Sequence, residues 1–344
     1  MAYQARAAVA NHVHCAAVKV IIQIPCWNEE RSLPVTFAAL PRTIPGVDVV
    51  ETLVIDDGST DRTVEVARSL GIDHVVRLVT HQGLARAFER GLLECLRRGA
   101  DVVVNTDADN QYAADDIPRL VAPILSGEAD YVIGDRSVED LPHFSWIKKK
   151  LQRVGSAVVR MASRTDIPDT TSGFRALSRR AVLQLSVHSG YTYTHETLIQ
   201  AGRKDIPVAS VKVGVNPVLR PSRLFRSIPR YVLRSASTIF RIYLIYDGFR
   251  AFALLALLSA LLGAGALGLW LAAPAVLPAA LLLALPWVAG AGALLAVQLF
   301  LFALLADLLA VTRRLQEESL THLRELALRE AGALPAPPPG EPAA

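Results

Sequence analysis

Short apolar, β-branched runs alternate with amphipathic stretches over the first 135 residues. Strands are expected near 18–25, 49–56, 74–79, 101–107 and 130–134, with helices near 32–40, 61–70, 84–98 and 115–126. Residues 84–98 make the clearest helix: Ala87, Leu92 and Cys95 fall opposite Arg90, Glu94 and Arg97–Arg98. Strand–helix alternation with near-continuous apolar strands predicts an α/β domain around a mostly parallel sheet. After Gly134-Asp135-Arg136 the pattern loosens into a Pro-containing loop. An amphipathic helix then opens with Lys148-Lys149-Lys150 and runs to about Ala162.

The pattern changes late in the chain. From Ala251 to Ala306 there is no charged residue. As helix this run is roughly 84 Å long, enough for two crossings of a ~30 Å hydrocarbon layer. Pro274 and Pro278 place the turn, giving transmembrane spans near 249–271 and 281–305; a break at Pro286 would make the second re-entrant instead. Upstream, Arg223, Arg226, Arg230, Arg234 and Arg241 share one face of a helical wheel beside Leu224, Phe225, Ile228, Val232, Ile239 and Ile242. That is the pattern of a helix in the headgroup layer, anchored to anionic lipid or gripping a phosphate, with Pro229 expected to break it in two. Arg241 and Arg250 before the spans, and Arg313 and Arg314 after them, put both flanks and the N-terminal domain on the cytoplasmic face of a plasma membrane. Leu315, Leu320, Leu323 and Leu328 stripe a charged C-terminal helix, as an interfacial surface or a homo-oligomer contact would. The expected layout is a flexible tail (1–17) without a signal sequence, a catalytic domain (18–220), basic juxtamembrane helices (221–248), two transmembrane helices (249–309), a cytoplasmic helix (310–333) and a disordered Pro-rich end (334–344).

Composition sharpens this picture. At 344 residues and 52% apolar content the chain is more hydrophobic than ordinary soluble enzymes. A net charge of +4 without aromatic–basic interleaving gives no footprint for nucleic acid. Cys15, Cys26 and Cys95 form no C-x-x-C, so neither disulfides nor zinc are implied, and Cys26 reads as packing. No G-x-G-x-x-G follows the first strand, which disfavours a dinucleotide oxidoreductase.

Candidate chemistry sits where strands end. Asp107-Ala108-Asp109-Asn110-Gln111 follows an apolar run, and on an extended backbone Asp107 and Asp109 would point the same way. Paired hard oxygens there suit Mg2+ or Mn2+ with substrate phosphates; two solvated turn aspartates are the plain alternative. Asp56-Asp57-Gly58-Ser59-Thr60-Asp61 also ends an apolar run. Ser59 or Asp61 can cap the next helix, but capping leaves two adjacent carboxylates whose repulsion a bound base or ribose would relieve. Pro25 is expected to end the first strand, exposing Trp27, Asn28 and Glu29 at the same edge.

Ile24-Pro25-Cys26-Trp27-Asn28-Glu29, Asp56-Asp57-Gly58-Ser59-Thr60-Asp61, Gly83-Leu84-Ala85-Arg86 through Gly91, and Asp107-Ala108-Asp109-Asn110-Gln111 stand in the order seen in inverting family-two glycosyltransferases. Asp169-Thr170-Thr171-Ser172-Gly173-Phe174-Arg175 resembles the segment typical of the dolichol-phosphate mannose and glucose synthase branch. The likeness covers roughly 18–245. It implies a GT-A fold, a UDP- or GDP-linked sugar donor, a divalent metal (Mg2+ or Mn2+) at Asp107, Asp109 and Gln111, and a polyprenyl-phosphate acceptor. Pro25, Trp27, Asn28, Glu29, Asp56, Asp57 and Asp107 are the implied donor-binding residues, with Arg220 and Arg223 as a clamp over the diphosphate. Arg136, Lys148 and Arg153 carry over as acceptor-phosphate residues, Lys148 standing where relatives use arginine. Leu84 replaces a polar residue of the pattern, so no donor contact is assigned to that loop.

A lipid monophosphate, with a second pKa near about 6, is largely dianionic at neutral pH and needs no strong general base. A sugar or lipid hydroxyl acceptor would need one, for which Glu196 or Asp169 are the candidates. A non-catalytic membrane scaffold with a degenerate sugar-nucleotide fold is the alternative of another class; intact Asp56, Asp57, Asp107 and Asp109 argue against it.

Overall fold

The computed structural model describes residues 17–137, 146–187, 193–217, 228–272 and 277–333. The chain divides into two compact units, one of Met1–Tyr231 with Thr321–Ala344 and one of Val232–Leu320.

The first unit is built on a seven-stranded sheet of β1 (Lys19–Cys26), β2 (Val49–Asp56), β3 (His74–Arg77), β4 (Val102–Asn105), β5 (Tyr131–Asp135), β6 (Arg175–Ser178) and β7 (Val208–Lys212). The strand order is β3-β2-β1-β4-β6-β5-β7. All neighbours pair in parallel except β6, which runs antiparallel to both β4 and β5. Helices α1 (Leu33–Ala39), α2 (Thr63–Ser69), α3 (Leu84–Arg97) and α4 (Ile117–Leu125) fill the crossovers, followed by α5 (Trp146–Ser163), α6 (Arg179–Gln184) and α7 (Thr194–Arg203). The expected α/β architecture with a GT-A-type, mostly parallel sheet is present. Sheet residues Val20, Ile22, Ile24, Val54, Val102 and Val104 are buried among Leu33, Phe37, Ile117 and Leu120 from the helices. Helix α3 covers the other face with Ala87, Phe88, Leu92 and Cys95 inward, as its periodicity predicts.

Three local expectations are corrected. β1 runs one residue past Pro25, and Cys26 pairs with Asp56. The register with β4 ends at Gln23–Asn105, so Pro25 lies beyond the two-sided part of the ladder. β4 ends at Asn105, two residues before the first aspartate, and Ala108 and Asp109 form a turn, so Asp107 and Asp109 are not on an extended backbone. β6 and β7, absent from the expected layout, complete the sheet.

Two long helices supply the second unit, their outer ends belonging to the first. α8 (Ile228–Ala272) bends at Asp247, whose φ of −127° leaves the helical range, whereas Pro229 sits in the first turn, where a missing amide costs nothing. The stretch before the break expected at Pro229 lies outside the described residues. α9 (Ala279–Glu330) continues unbroken through Pro286 and past the apolar run, so the second span and the charged helix are one element. Tyr246–Ala272 and α9 are long and apolar enough to cross a membrane, and most of their apolar side chains are exposed. A soluble core helix of that composition would be hidden. The two helices meet at small residues: a Cβ on Gly292 would stand 2.9 Å from the Gly263 Cα, and the Ser259 hydroxyl donates to the Gly292 carbonyl at 2.9 Å.

Candidate active site

β1, β2 and β4 pair in parallel, and β5 runs the same way because β6 is antiparallel to both β4 and β5, so the segments after Cys26, Asp56, Asn105 and Asp135 share one edge. Because β6 is antiparallel, its start lies there too: Arg175 is paired with Asn105 and Ile133, which delivers Asp169–Phe174 to the same place.

Asp56 and Asp57 are both buried. Asp56 accepts the Ser59 amide and lies 3.4 Å from the Arg77 Nε. Asp57 accepts the amides of Gln82 and Gly83, each at 2.8 Å, and pairs with the His81 Nδ1 at 2.8 Å. Donors from Ser59 next in the turn and from Arg77 to Gly83 further along thus offset the repulsion between the two carboxylates from within. Gly58 has a φ of +68°, and a Cβ there would meet the His81 backbone at 2.8 Å, so the turn needs glycine. At the start of α2 the N-cap position is Arg62, which makes no side-chain cap, and the Asp61 carboxylate just before it takes the Thr63 amide.

Asn28, itself left-handed at φ 55°, donates its amide to Ser59 Oγ and accepts the Thr60 amide on its carboxamide, both at 2.8 Å. Glu29 accepts from the Ser32 hydroxyl and donates its amide to Thr63. These two residues bind the β1 loop to the β2 loop. Trp27, 38% exposed, stacks on His81 with centroids 4.3 Å apart. His81 escaped the sequence reading because its imidazole reaches Asp57 only through the fold. The buried Cys26 thiol is pushed well up by burial and by Glu29, as a packing role requires.

Around the D-x-D segment the structure is dense. Asp109 accepts the Gln111 amide at 3.3 Å, and Asn110 turns the chain with φ 55°. The Thr36 hydroxyl holds the Ala108 carbonyl at 2.9 Å. Behind Asp107 lies a buried polar chain: Gln23 donates to Asn105, whose amide donates to the Gly173 carbonyl and to the Tyr193 hydroxyl. The Gly173 amide donates to the Tyr112 hydroxyl at 2.8 Å. A Cβ on Gly173 would stand 2.9 Å from the Tyr193 hydroxyl and 3.1 Å from the Asp107 carboxylate, so the segment presses directly on that aspartate. Burial, then the charge of Asp107, raises the Tyr193 phenol well above its usual value.

Arg136 follows β5 and is gripped by Asp169, Nε to Oδ2 at 2.7 Å and Nη2 to Oδ1 at 3.0 Å, with Nη2 also donating to the Thr171 hydroxyl. Burial alone would raise the Asp169 carboxyl, but the charge and hydrogen bonds of Arg136, with those of Thr171, hold it below its ordinary value. Arg175 is fully buried. Its guanidinium donates to the carbonyls of Ser172, Thr170 and Thr194 and to the hydroxyls of Tyr131 and Thr197, tying the Asp169–Arg175 segment to the start of α7. Burial and the nearby Arg175 push the His195 imidazole down to about 4. Glu196 is buried, 3.5 Å from the Gln200 amide. Lys148 and Arg153 lie on α5, but their side chains fall outside the described residues, as do Arg220 and Arg223 altogether.

The model of the family "Glycosyl transferase family 2" matches residues 21–185. An uncharacterized glycosyltransferase of Mycobacterium bovis is 33% identical over 204 residues, covering 58% of this chain and 85% of that one. The chain belongs to glycosyltransferase family 2. It is also similar to the undecaprenyl-phosphate mannosyltransferase of Micrococcus luteus, 34% identical over 46% of this chain and 66% of the relative, just under two thirds of its length. The fold matches glucosyl-3-phosphoglycerate synthase of Mycobacterium tuberculosis, solved with Mn2+, uridine diphosphate and phosphoglyceric acid, at a TM-score of 0.52 and 22% identity, over 66% of this chain and 78% of that one. In the present glycosyltransferase, no group of three or more His, Cys, Asp or Glu side chains could hold a metal among the described residues. Two aspartates alone suit an ion that takes one or two carboxylates and completes its shell with substrate phosphate oxygens, as Mg2+ and Mn2+ do. They do not suit a closed zinc centre.

Proposed function

We propose that this glycosyltransferase moves a hexosyl group from a UDP- or GDP-linked donor to the phosphate of a polyprenyl phosphate, with inversion. The observation that carries the reading is Arg136: a guanidinium fixed by Asp169 at the sheet edge that also holds the D-x-D. An oriented, charge-assisted donor suits a phosphate monoester. The naming of the Micrococcus luteus relative as an undecaprenyl-phosphate mannosyltransferase supports the same acceptor.

Asp107 and Asp109, with Gln111, would hold Mg2+ or Mn2+, which supplies charge neutralisation on the departing nucleoside diphosphate. Trp27, beside the Asn28–Glu29 and Asp56–Asp61 loops, offers an aromatic face to the nucleoside. Arg136 orients the lipid phosphate, whose oxygen attacks the anomeric carbon as the bond to the diphosphate breaks; a single displacement inverts that carbon. The dianionic phosphate arrives deprotonated, so no side chain has to remove a proton. Lys148, Arg153, Arg220 and Arg223 are proposed as further cationic contacts. The two apolar helices would anchor the enzyme in the plasma membrane beside its lipid substrate, both chain ends cytoplasmic.

The test is to supply membranes containing the enzyme with labelled UDP- and GDP-hexoses and either undecaprenyl phosphate or undecaprenol. An acid-labile lipid product formed only with the phosphate is expected, and Asp109→Asn should abolish it. Equal transfer to the alcohol would refute the acceptor.

A further inference from the structure

β7 does not end its work at the sheet. Beyond Lys212 the chain crosses the D-x-D loop. The Gly214 amide donates to the Asp116 carboxylate at 2.7 Å, its carbonyl accepts the Ala113 amide at 3.2 Å, and Val215 bridges Tyr112 antiparallel. Asn216 then makes three bonds to three consecutive carbonyls. Its backbone amide donates to Gln111 at 2.9 Å, and its carboxamide donates to Asn110 at 3.0 Å and to Tyr112 at 3.1 Å.

The segment so held is the one that has to be held. Asn110 is in the left-handed region, which L-residues adopt at a cost and keep only when their surroundings impose it. Its neighbours on either side are Asp109 and Gln111, the metal-binding candidates. A primary amide carries two N–H groups on one nitrogen and reaches two carbonyls at once; a carboxylate of the same shape would turn acceptors toward acceptors. β7 is also in register with β5, with Lys212 opposite Asp135, so the same strand end is tied to the residue that precedes Arg136.

We propose that Asn216 is a positioning residue for the divalent-metal site. It fixes the carbonyls of Asn110, Gln111 and Tyr112, and so sets the direction in which Asp109 and Gln111 present their oxygens to the ion and the nucleoside diphosphate. Asn216 does not touch the ion. The inference rests on the metal reading of Asp107 and Asp109 given above.

The experiment measures Mn2+ binding to the purified full-length protein, from the electron paramagnetic resonance of free Mn2+, with saturating UDP or GDP. Asn216→Asp is expected to weaken Mn2+ by about tenfold or more, the usual consequence of removing a partner behind the coordinating groups. The two lost hydrogen bonds should lower its metal-free melting temperature by several degrees without unfolding it, and turnover should recover as Mn2+ is raised. If the aspartate variant does not fold, Asn216→Ala, which keeps the backbone bond to Gln111, takes its place. Unchanged Mn2+ affinity, or a loss of turnover that excess metal does not restore, overturns the proposal. Asp109→Asn separates the two levels: wild-type Mn2+ binding by that variant removes the metal reading itself, whereas its loss beside unaltered binding by the Asn216 variants removes only the role of Asn216.

Discussion

Replacing Asp169 by asparagine tests whether this carboxylate holds an arginine or removes a proton. In the structure Oδ2 accepts from the Arg136 Nε, while Oδ1 accepts from the Arg136 Nη2 and from the Thr171 amide and hydroxyl. The side chains of Arg136 and Asp169 are 16% and 2% exposed. Removing one partner of a buried pair costs about 3–5 kcal/mol; the asparagine keeps one acceptor oxygen and Arg136 keeps some solvent, so about 2 kcal/mol is expected. For a unit of this size that lowers the melting temperature by about 4–8 °C. Arg136→Ala should cost less when Asp169 is already asparagine, and the cycle should return a coupling of about 1–2 kcal/mol. The loosened guanidinium should raise the Michaelis constant for lipid phosphate about tenfold or more, with donor affinity little changed. The pH dependence separates the two roles. Because the folded carboxyl titrates below the ordinary 3.8, its stabilisation is complete above that value and is lost only on further acidification, so Asp169 stays ionised from pH 6 to 9. Wild type and variant should therefore give parallel rate profiles across that range. A limb present in the wild type and missing in the variant would make Asp169 a base and refute the reasoning.

Gly173→Ala places a methyl 3.1 Å from the Asp107 carboxylate and should cut turnover at least tenfold while raising the metal requirement; a variant with wild-type metal response would show that the contact is incidental. His195 titrates at about 4 in the folded chain against 6.5 ordinarily, so the unfolded chain binds the extra proton between those values. Stability should fall by at most about 3 kcal/mol as pH drops from 6.5 to 4, and denaturant titrations of His195→Leu should lack that slope. Gly292→Leu drives a side chain into Gly263 and should abolish cross-linking between a pair of cysteines introduced on the two helices beside that contact; unchanged cross-linking would refute the crossing point.

The sequence announced the sheet where strands were long and continuously apolar, because buried parallel strands carry their own signature. β1, β2 and α3 were legible to within a residue or two. β6 was not. It is four residues long and opens with Arg175, a charged residue that local reasoning assigns to the surface. Its burial depends on carbonyls of Thr170, Ser172 and Thr194 that only the assembled fold brings together. β7 was hidden for the opposite reason: as an edge strand it is half exposed, and Val-Ala-Ser-Val-Lys shows no clean alternation. The long charged end of α9 looked like a separate helix because composition changes at Arg313, but backbone hydrogen bonding has no reason to stop where hydropathy does.

The candidate site divides along a similar line. Carboxylates and arginines are visible in a sequence as charges, so Asp107, Asp109, Arg136 and Asp169 could be singled out. What neutralises them is largely backbone amide and neutral side chain, which carry no such signal. Asp56 and Asp57 show the consequence. Their adjacency suggested a missing ligand, yet the amides of Ser59, Gln82 and Gly83 supply much of what they accept. Asn28 and Glu29, expected to face the donor, spend hydrogen bonds on joining two loops. A substitution at Asp57 would therefore unfasten the loop that carries His81 as well as remove a charge. Loss of donor binding in such a variant would not by itself assign Asp57 to the nucleotide. The informative variant is His81→Ala, which leaves both amide bonds to Asp57 in place and removes the imidazole that stacks on Trp27 and pairs with the Asp57 carboxylate.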